Sequence, residues 1–254
     1  MKSWRDIGFK IEITADQSIT LQLLKPTYPD SEKGESMHHS GGAMAETDLI
    51  YGTPIRDAFN KLESPSFLIM GLGLGYIEMV IAREALLKNL EAEAVGKIQS
   101  FESVPELREF FFAWLWDQKE ILHDEVFETY DKVLEFVILG TAITKEKLKM
   151  FLRHHFPSVN SIGGAFNAND KVTGSYSGIL YDAFSSKTTP HLWDEDFLIS
   201  FLLCARQDSF FSTYACKAAM RNALKASGFE VIVRPAFVGK RTSTLALRGQ
   251  LAQS

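Results

Sequence analysis

Gly71, Gly73 and Gly75 stand at alternate positions directly after a short apolar run, SFLIM at 66–70. The apolar-periodic stretch 76–90 follows directly. A glycine turn between a strand and a helix lets a ligand approach the backbone without meeting Cβ atoms, at a helix N-terminus with unpaired N–H groups. The pattern is GxGxG; it departs from the GxGxxG dinucleotide fingerprint because Leu74 and Tyr76 surround the third glycine. Taken alone, it also describes a tight turn that holds nothing. Glu102 adds to it. This residue closes the next expected strand, 97–101, at a point where a carboxylate can accept hydrogen bonds from both hydroxyls of a ribose. Its simpler reading is a cap ahead of a helix beginning at Pro105. Together the two features predict a nucleoside cofactor, and a nicotinamide dinucleotide and S-adenosylmethionine fit them equally.

Asp182 separates the two cofactors. It ends the apolar run GILY at 178–181 and opens the segment DAFSS, which places a carboxylate at the carboxyl end of a central strand beside the same crevice. Methyl transfer to an amine requires the nitrogen lone pair to lie along the carbon–sulfur axis. A hydrogen-bond acceptor there holds the amine's hydrogens, so positioning supplies most of the rate, and a carboxylate can also take a proton. The structural alternative is an aspartate that caps Ser185 and Ser186.

The elements that must position these residues follow from periodicity. Residues 9–24 alternate around Ala15-Asp16-Gln17-Ser18 as a β-hairpin does. Residues 25–48 read as a long polar connection, and loops of that length are functional or disordered. Helices are expected at 53–62, 76–90, 144–155, 197–205 and 217–226, with 105–140 mostly helical and rich in aromatics. Strands are expected at 66–70, 97–101, near Ser161, at 178–181, 210–214, 229–233 and 243–247. The last two have only RPAFVGKRT between them, so one runs antiparallel. The predicted fold class is α/β: a Rossmann-like class I methyltransferase arrangement, mostly parallel with an antiparallel last strand, plus the N-terminal hairpin. Residues 1–50 are expected to form the hairpin and an active-site loop packed on a main domain at 51–254.

With 254 residues, 46% hydrophobic and 23% charged, the chain suits one globular α/β domain and excludes a disordered or collagen-like one. No apolar run reaches the ~20 residues needed to cross a bilayer, the N-terminus lacks a signal-like stretch, and Cys204 and Cys216 form no CxxC pair. A cytoplasmic protein with no membrane partner is expected. The net charge of −5 is unevenly spread: from residue 206 onward eight Lys or Arg face two acidic residues, giving +6 there and −11 elsewhere. That positive end can meet a polyanion, or it can be a solvated helix face with edge-strand lysines.

Three segments resemble the MnmC methyltransferase family. YDAFSSKTTPHLW at 181–193 resembles its L-D-[AG]-F-[SA]-P-x-x-[ND]-P-x-[LM]-W pattern, with Ser186 where proline is common. GESMHHSGGAMAETDLIYG resembles its G-E-x-[YM]-H-S-x-x-G-A-x-x-E-[ST] loop, and the ending from Ser212 to Gly249 resembles its T-[YF], R-x-x-L-x-x-A-G-F and G-x-[GK]-[KR]-[KR] series. The resemblance implies methyl transfer from S-adenosylmethionine to the 5-aminomethyl group of a tRNA wobble uridine. It further implies Asp182 as catalytic carboxylate and a cofactor held by Gly71, Gly73, Gly75, Glu102, Glu46 and Asp182. The basic ending, with Lys240, Arg241 and Arg221, would meet the RNA backbone, and Trp193, after Pro190 at the crevice rim, is a candidate to stack on the substrate. Anticodon bases are splayed and unstacked, the form in which proteins read RNA most readily. No FAD and no metal are implied, so a separate FAD-dependent or upstream tRNA-modifying enzyme would supply the substrate.

The family's Gly-Asp-Ala is Gly163-Gly164-Ala165 here, leaving Asn167 and Asp170 as adenine-side candidates. His38 and His39 with Glu35, Glu46 and Asp48 lack a recognisable ligand spacing and read as a polar cluster. Trp114 and Trp116 read as packing residues. Two alternatives stay open: a methyltransferase for another amine, on a small molecule or protein, and a catalytically idle cofactor-binding partner protein.

Overall fold

The structure, a computed structural model, describes residues 1–26, 33–167, 170–235, 237–238 and 242–253. The N-terminal hairpin forms as its alternation predicts: β1 (Phe9–Ile13) pairs antiparallel with β2 (Ile19–Leu23), Phe9 opposite Leu23. Trp4, Phe9 and Leu21 bury their side chains in the main core.

The polar connection that follows is shorter than its sequence suggests. Ala43–Thr47 (α1) is already helical and continues through a π-turn, Asp48–Gly52, into α2 (Thr53–Lys61). The hairpin turn supplies the reason. The first free amides of α1 find acceptors there, Ala43 and Met44 N–H donating to Ser18 Oγ at 2.9 and 3.0 Å and Ala45 N–H to Asp16 Oδ2 at 3.1 Å. A helix that lacks its own cap thus begins on a neighbour's side chains.

Seven strands make the main sheet: β3 (Phe67–Met70), β4 (Ile98–Phe101), β5 (Ile162–Gly163), β6 (Tyr176–Tyr181), β7 (Ala205–Thr213), β8 (Glu230–Arg234) and β9 (Ser243–Arg248). Their order is β5-β4-β3-β6-β7-β9-β8, and only β9 runs against the rest. β7 starts earlier than its apolar residues indicate, because its first half pairs while staying largely exposed.

Alternation assigns the two faces. Phe67, Ile69, Leu180 and Phe210 point toward α2, α3 (Tyr76–Leu87), α4 (Pro105–Leu115), α5 (Asp124–Ile138) and α6 (Lys145–His155). Leu68, Met70, Ile179, Tyr181 and Phe211 point toward α7 (Glu195–Phe201) and α8 (Ala218–Ala226). A sheet covered on both faces needs strands that are apolar throughout, and all four residues of β3 are buried. Strand order reverses between β3 and β6, so the crevice outside their carboxyl ends is the natural ligand position. Among the described residues no helix is long and apolar enough to cross a membrane.

Candidate functional site

The three glycines all adopt positive φ, +98° at Gly71, +52° at Gly73 and +72° at Gly75. Two of them also lack room for a side chain. A Cβ on Gly71 would lie 2.4 Å from the Asp182 carbonyl oxygen, and one on Gly75 would lie 2.4 Å from the Phe111 ring. Gly73 has only the Met37 sulfur nearby, at 3.3 Å, so this middle glycine is the part of the turn open to a ligand. Gly75 is the N-cap of α3, whose first amides point toward the same space.

Glu102, at the end of β4, folds back against that turn. Its Oε2 accepts from Gly73 N–H at 3.0 Å and its Oε1 from Val104 N–H at 2.9 Å. Burial pushes its pKa up, while the two backbone donors pull it down. A carboxylate offers about four lone-pair positions, so two amides leave room for ribose hydroxyls. Glycine turn and Glu102 therefore fit an adenosyl cofactor. Beneath them lies a second acid, Glu78 on α3, fully buried, accepting from Ser100 Oγ at 2.6 Å and pushed up to about 8 by burial.

Asp182 follows β6 directly, and its amide donates to the Met70 carbonyl at 2.8 Å, so the ends of β3 and β6 are tied together. Its Oδ1 accepts from the Tyr51 hydroxyl at 2.6 Å. Burial raises its pKa to about 7; the Tyr51 hydrogen bond opposes this, and the charges of Glu46 and Glu102 add to it. The capping alternative finds another acid in place: Ser185 N–H, Ser185 Oγ and Thr188 Oγ1 donate to Glu35 at 3.1, 3.2 and 2.6 Å. Glu46 is half-buried on α1 and accepts from His39 N–H at 2.6 Å. His38 meets Thr20 Oγ1 at 2.8 Å, and burial lowers its pKa to about 4.

Tyr51 is absent from the reading of the sequence. It is 2% exposed, and the π-turn delivers it. The same turn is anchored from the sheet, with Ser212 Oγ and Arg234 Nη1 (3.1 Å) donating to the Ile50 carbonyl.

The candidate RNA contacts separate. Trp193 is a correction: its indole is 5% exposed, donates to the Phe184 carbonyl at 2.9 Å and meets Tyr181 and Tyr214 edge-on. It is packed beneath the site, with no free face for a base to stack on. Arg221 is half-buried, 3.9 Å from Cys216 Sγ. Lys240 and Arg241 lie outside the described residues. On the adenine side, Gly164 faces Arg108, whose Nη1 would be 3.7 Å from an added Cβ. Asn167 and Asp170 bond to each other at 2.7 Å.

Residues 158–249 match the model of a family described as S-adenosyl-L-methionine-dependent methyltransferase. An uncharacterised protein of Methanocaldococcus jannaschii is 25% identical over 223 residues, covering 87% of this chain and 56% of that one. The tRNA 5-methylaminomethyl-2-thiouridine biosynthesis bifunctional protein MnmC of Leptospira interrogans is 28% identical over 80 residues, 32% of this chain and 12% of that protein. The chain thus spans little more than half of one curated relative and a small part of the other. Among solved structures, MNMC2 from Aquifex aeolicus shares the fold at a TM-score of 0.62 and 22% identity, over 94% of this chain and 70% of that one.

Proposed function

We propose that this S-adenosylmethionine-dependent methyltransferase, which resembles the MnmC family, methylates an amine, the aminomethyl group of a modified wobble uridine in tRNA. One observation carries the choice of an amine: a half-buried carboxylate, Asp182, follows β6 beside the glycine turn with Glu46 and Glu102 close enough to act on its charge. Several acids around one crevice repel anions and attract a cationic or hydrogen-donating acceptor.

S-adenosylmethionine supplies a methyl group on a positively charged sulfur. The protein's part is to hold its ribose at Glu102, leave Gly73 open to it, and present Asp182 to the acceptor. An amine that arrives protonated must first lose a proton, and the Asp182 carboxylate, with a pKa raised to about 7, is matched to take it near neutral pH. The carbon–nitrogen bond then forms as the carbon–sulfur bond breaks. The name of the Leptospira relative and the positive C-terminal fifth of the chain support a tRNA acceptor. Lys240, Arg241 and Arg221 are the residues proposed to meet its phosphates.

The test is incubation with methyl-labelled S-adenosylmethionine and bulk tRNA, followed by digestion to nucleosides. Label in a 5-methylaminomethyl uridine is the expected result. Label confined to protein or small amines would move the acceptor away from RNA.

A further inference from the structure

Resting on that reading of Asp182, we propose that Tyr51 is a positioning residue for the transfer, its hydroxyl fixing the Asp182 carboxylate in one orientation toward the acceptor. The geometry is specific. The Tyr51 hydroxyl has one proton, and two acceptors lie near it: Asp182 Oδ1 at 2.6 Å and the Tyr181 carbonyl at 3.5 Å. Only the first is a good hydrogen bond, and it is charge-assisted. At 2% exposure the ring could be phenylalanine and fill the same space. A buried hydroxyl without a partner is destabilising, so the oxygen is tolerated there because the carboxylate receives it.

The surroundings give the pairing a direction. Asp182 is faced by Glu46 on α1, by Glu102 at the end of β4, by Tyr51 on the π-turn and by Tyr214 just after β7. Tyr214 donates its own hydroxyl to the Ala183 carbonyl at 2.9 Å, which leaves Tyr51 as the phenol bonded to the carboxylate. Arg234 on β8 lies within electrostatic reach of Tyr51, and it grips the Ile50 carbonyl beside it. Both acids push the Asp182 proton on, as burial does, and the Tyr51 donor bonds to the ionised form and pushes it off. A π-turn is an uncommon way to continue a helix and is frequent at functional sites. Here it swings residue 51 inward at a point where an α-helix starting at Ala43 would carry it elsewhere.

Tyr51→Phe tests this without emptying the core. Labelled aspartate carboxyl carbons report the Asp182 titration by NMR, its resonance assigned by its loss in Asp182→Asn. Removing the donor should raise the Asp182 midpoint by about one unit. The rise of kcat with pH should shift upward by the same amount, with kcat about fivefold lower near pH 7, about tenfold lower well below it, and recovering in more alkaline buffer. Cofactor Kd should stay within about twofold, because no cofactor-side residue of the proposal is touched. An unchanged Asp182 midpoint overturns the proposal, and so does an unchanged pH profile in an enzyme that methylates tRNA. Should wild type methylate no tRNA, the acceptor reading fails alone, and the NMR midpoint still decides the role of Tyr51.

Discussion

Two strand ends flank β3, and each presents an acid to the same crevice, Glu102 buried and Asp182 half-buried, yet they are held in different ways. Glu102 at the end of β4 is gripped by two backbone amides, one of them from the glycine turn. Asp182 at the end of β6 is met by a side-chain hydroxyl from a different part of the chain. Backbone donors cannot be removed without moving the chain, so Glu102 is a fixed acceptor suited to holding a ligand in one place. A carboxylate held by a phenol, with other acids beside it and a pKa raised to about 7, can change its protonation during a reaction. Under the proposed function, binding and proton handling would be divided between two residues of nearly the same chemistry by what donates to them.

The division is tested most severely at Asp182. Asp182→Ala should lower turnover about 10²-fold or more while changing cofactor affinity little, as loss of a positioning and proton-handling group does. Wild-type activity should rise with pH through about 7, because the carboxylate form is the one that accepts a proton; below that midpoint the rate should fall about tenfold per unit. Asp182→Asn keeps an acceptor oxygen, so partial activity would assign the effect to positioning and total loss to proton transfer. A wild-type rate in Asp182→Ala would end the comparison.

Glu102→Ala should show the opposite split: cofactor binding weaker by about 1–3 kcal/mol by calorimetry, with a smaller loss of turnover at saturating cofactor. Equal losses in both quantities for both variants would mean that the two acids are not divided as described. The smallest effect is expected beneath β6. Trp193→Phe removes the bond to the Phe184 carbonyl and some packing on Tyr181, and should cost about 1–2 kcal/mol of stability in denaturant unfolding. Its tRNA affinity should match wild type. A several-fold loss of affinity in a folded variant would return the indole to the substrate surface.

Much of this was legible from residue patterns. The all-apolar runs at 67–70 and 178–181 mark strands buried on both faces, and the short 235–242 connection forces one antiparallel strand. Glu102 and Asp182 were legible because each directly follows an expected strand, so strand direction alone places them at the crevice. Trp193 was misread for the complementary reason: a tryptophan near a loop looks available until the packing around Tyr181 and Tyr214 is known. Tyr51 was not legible. It stands five residues after Glu46, a spacing that puts two side chains on different faces of an α-helix. A π-turn brings them to the same acid, and no periodicity in AETDLIYG announces that turn. The start of α1 was hidden likewise, because its amides are satisfied by Ser18 and Asp16 from more than twenty residues away.

Gly71 gives the site a mechanical property. Its α-carbon lies so close to the Asp182 carbonyl that a methyl group there would stand at 2.4 Å, and the Asp182 amide is bonded to the residue just before it. The glycine turn and the reacting acid are therefore a joint without slack. A ligand pressing on the turn would press on the Asp182 backbone as well. Under the proposed function, the cofactor side and the acceptor side would share this direct backbone contact.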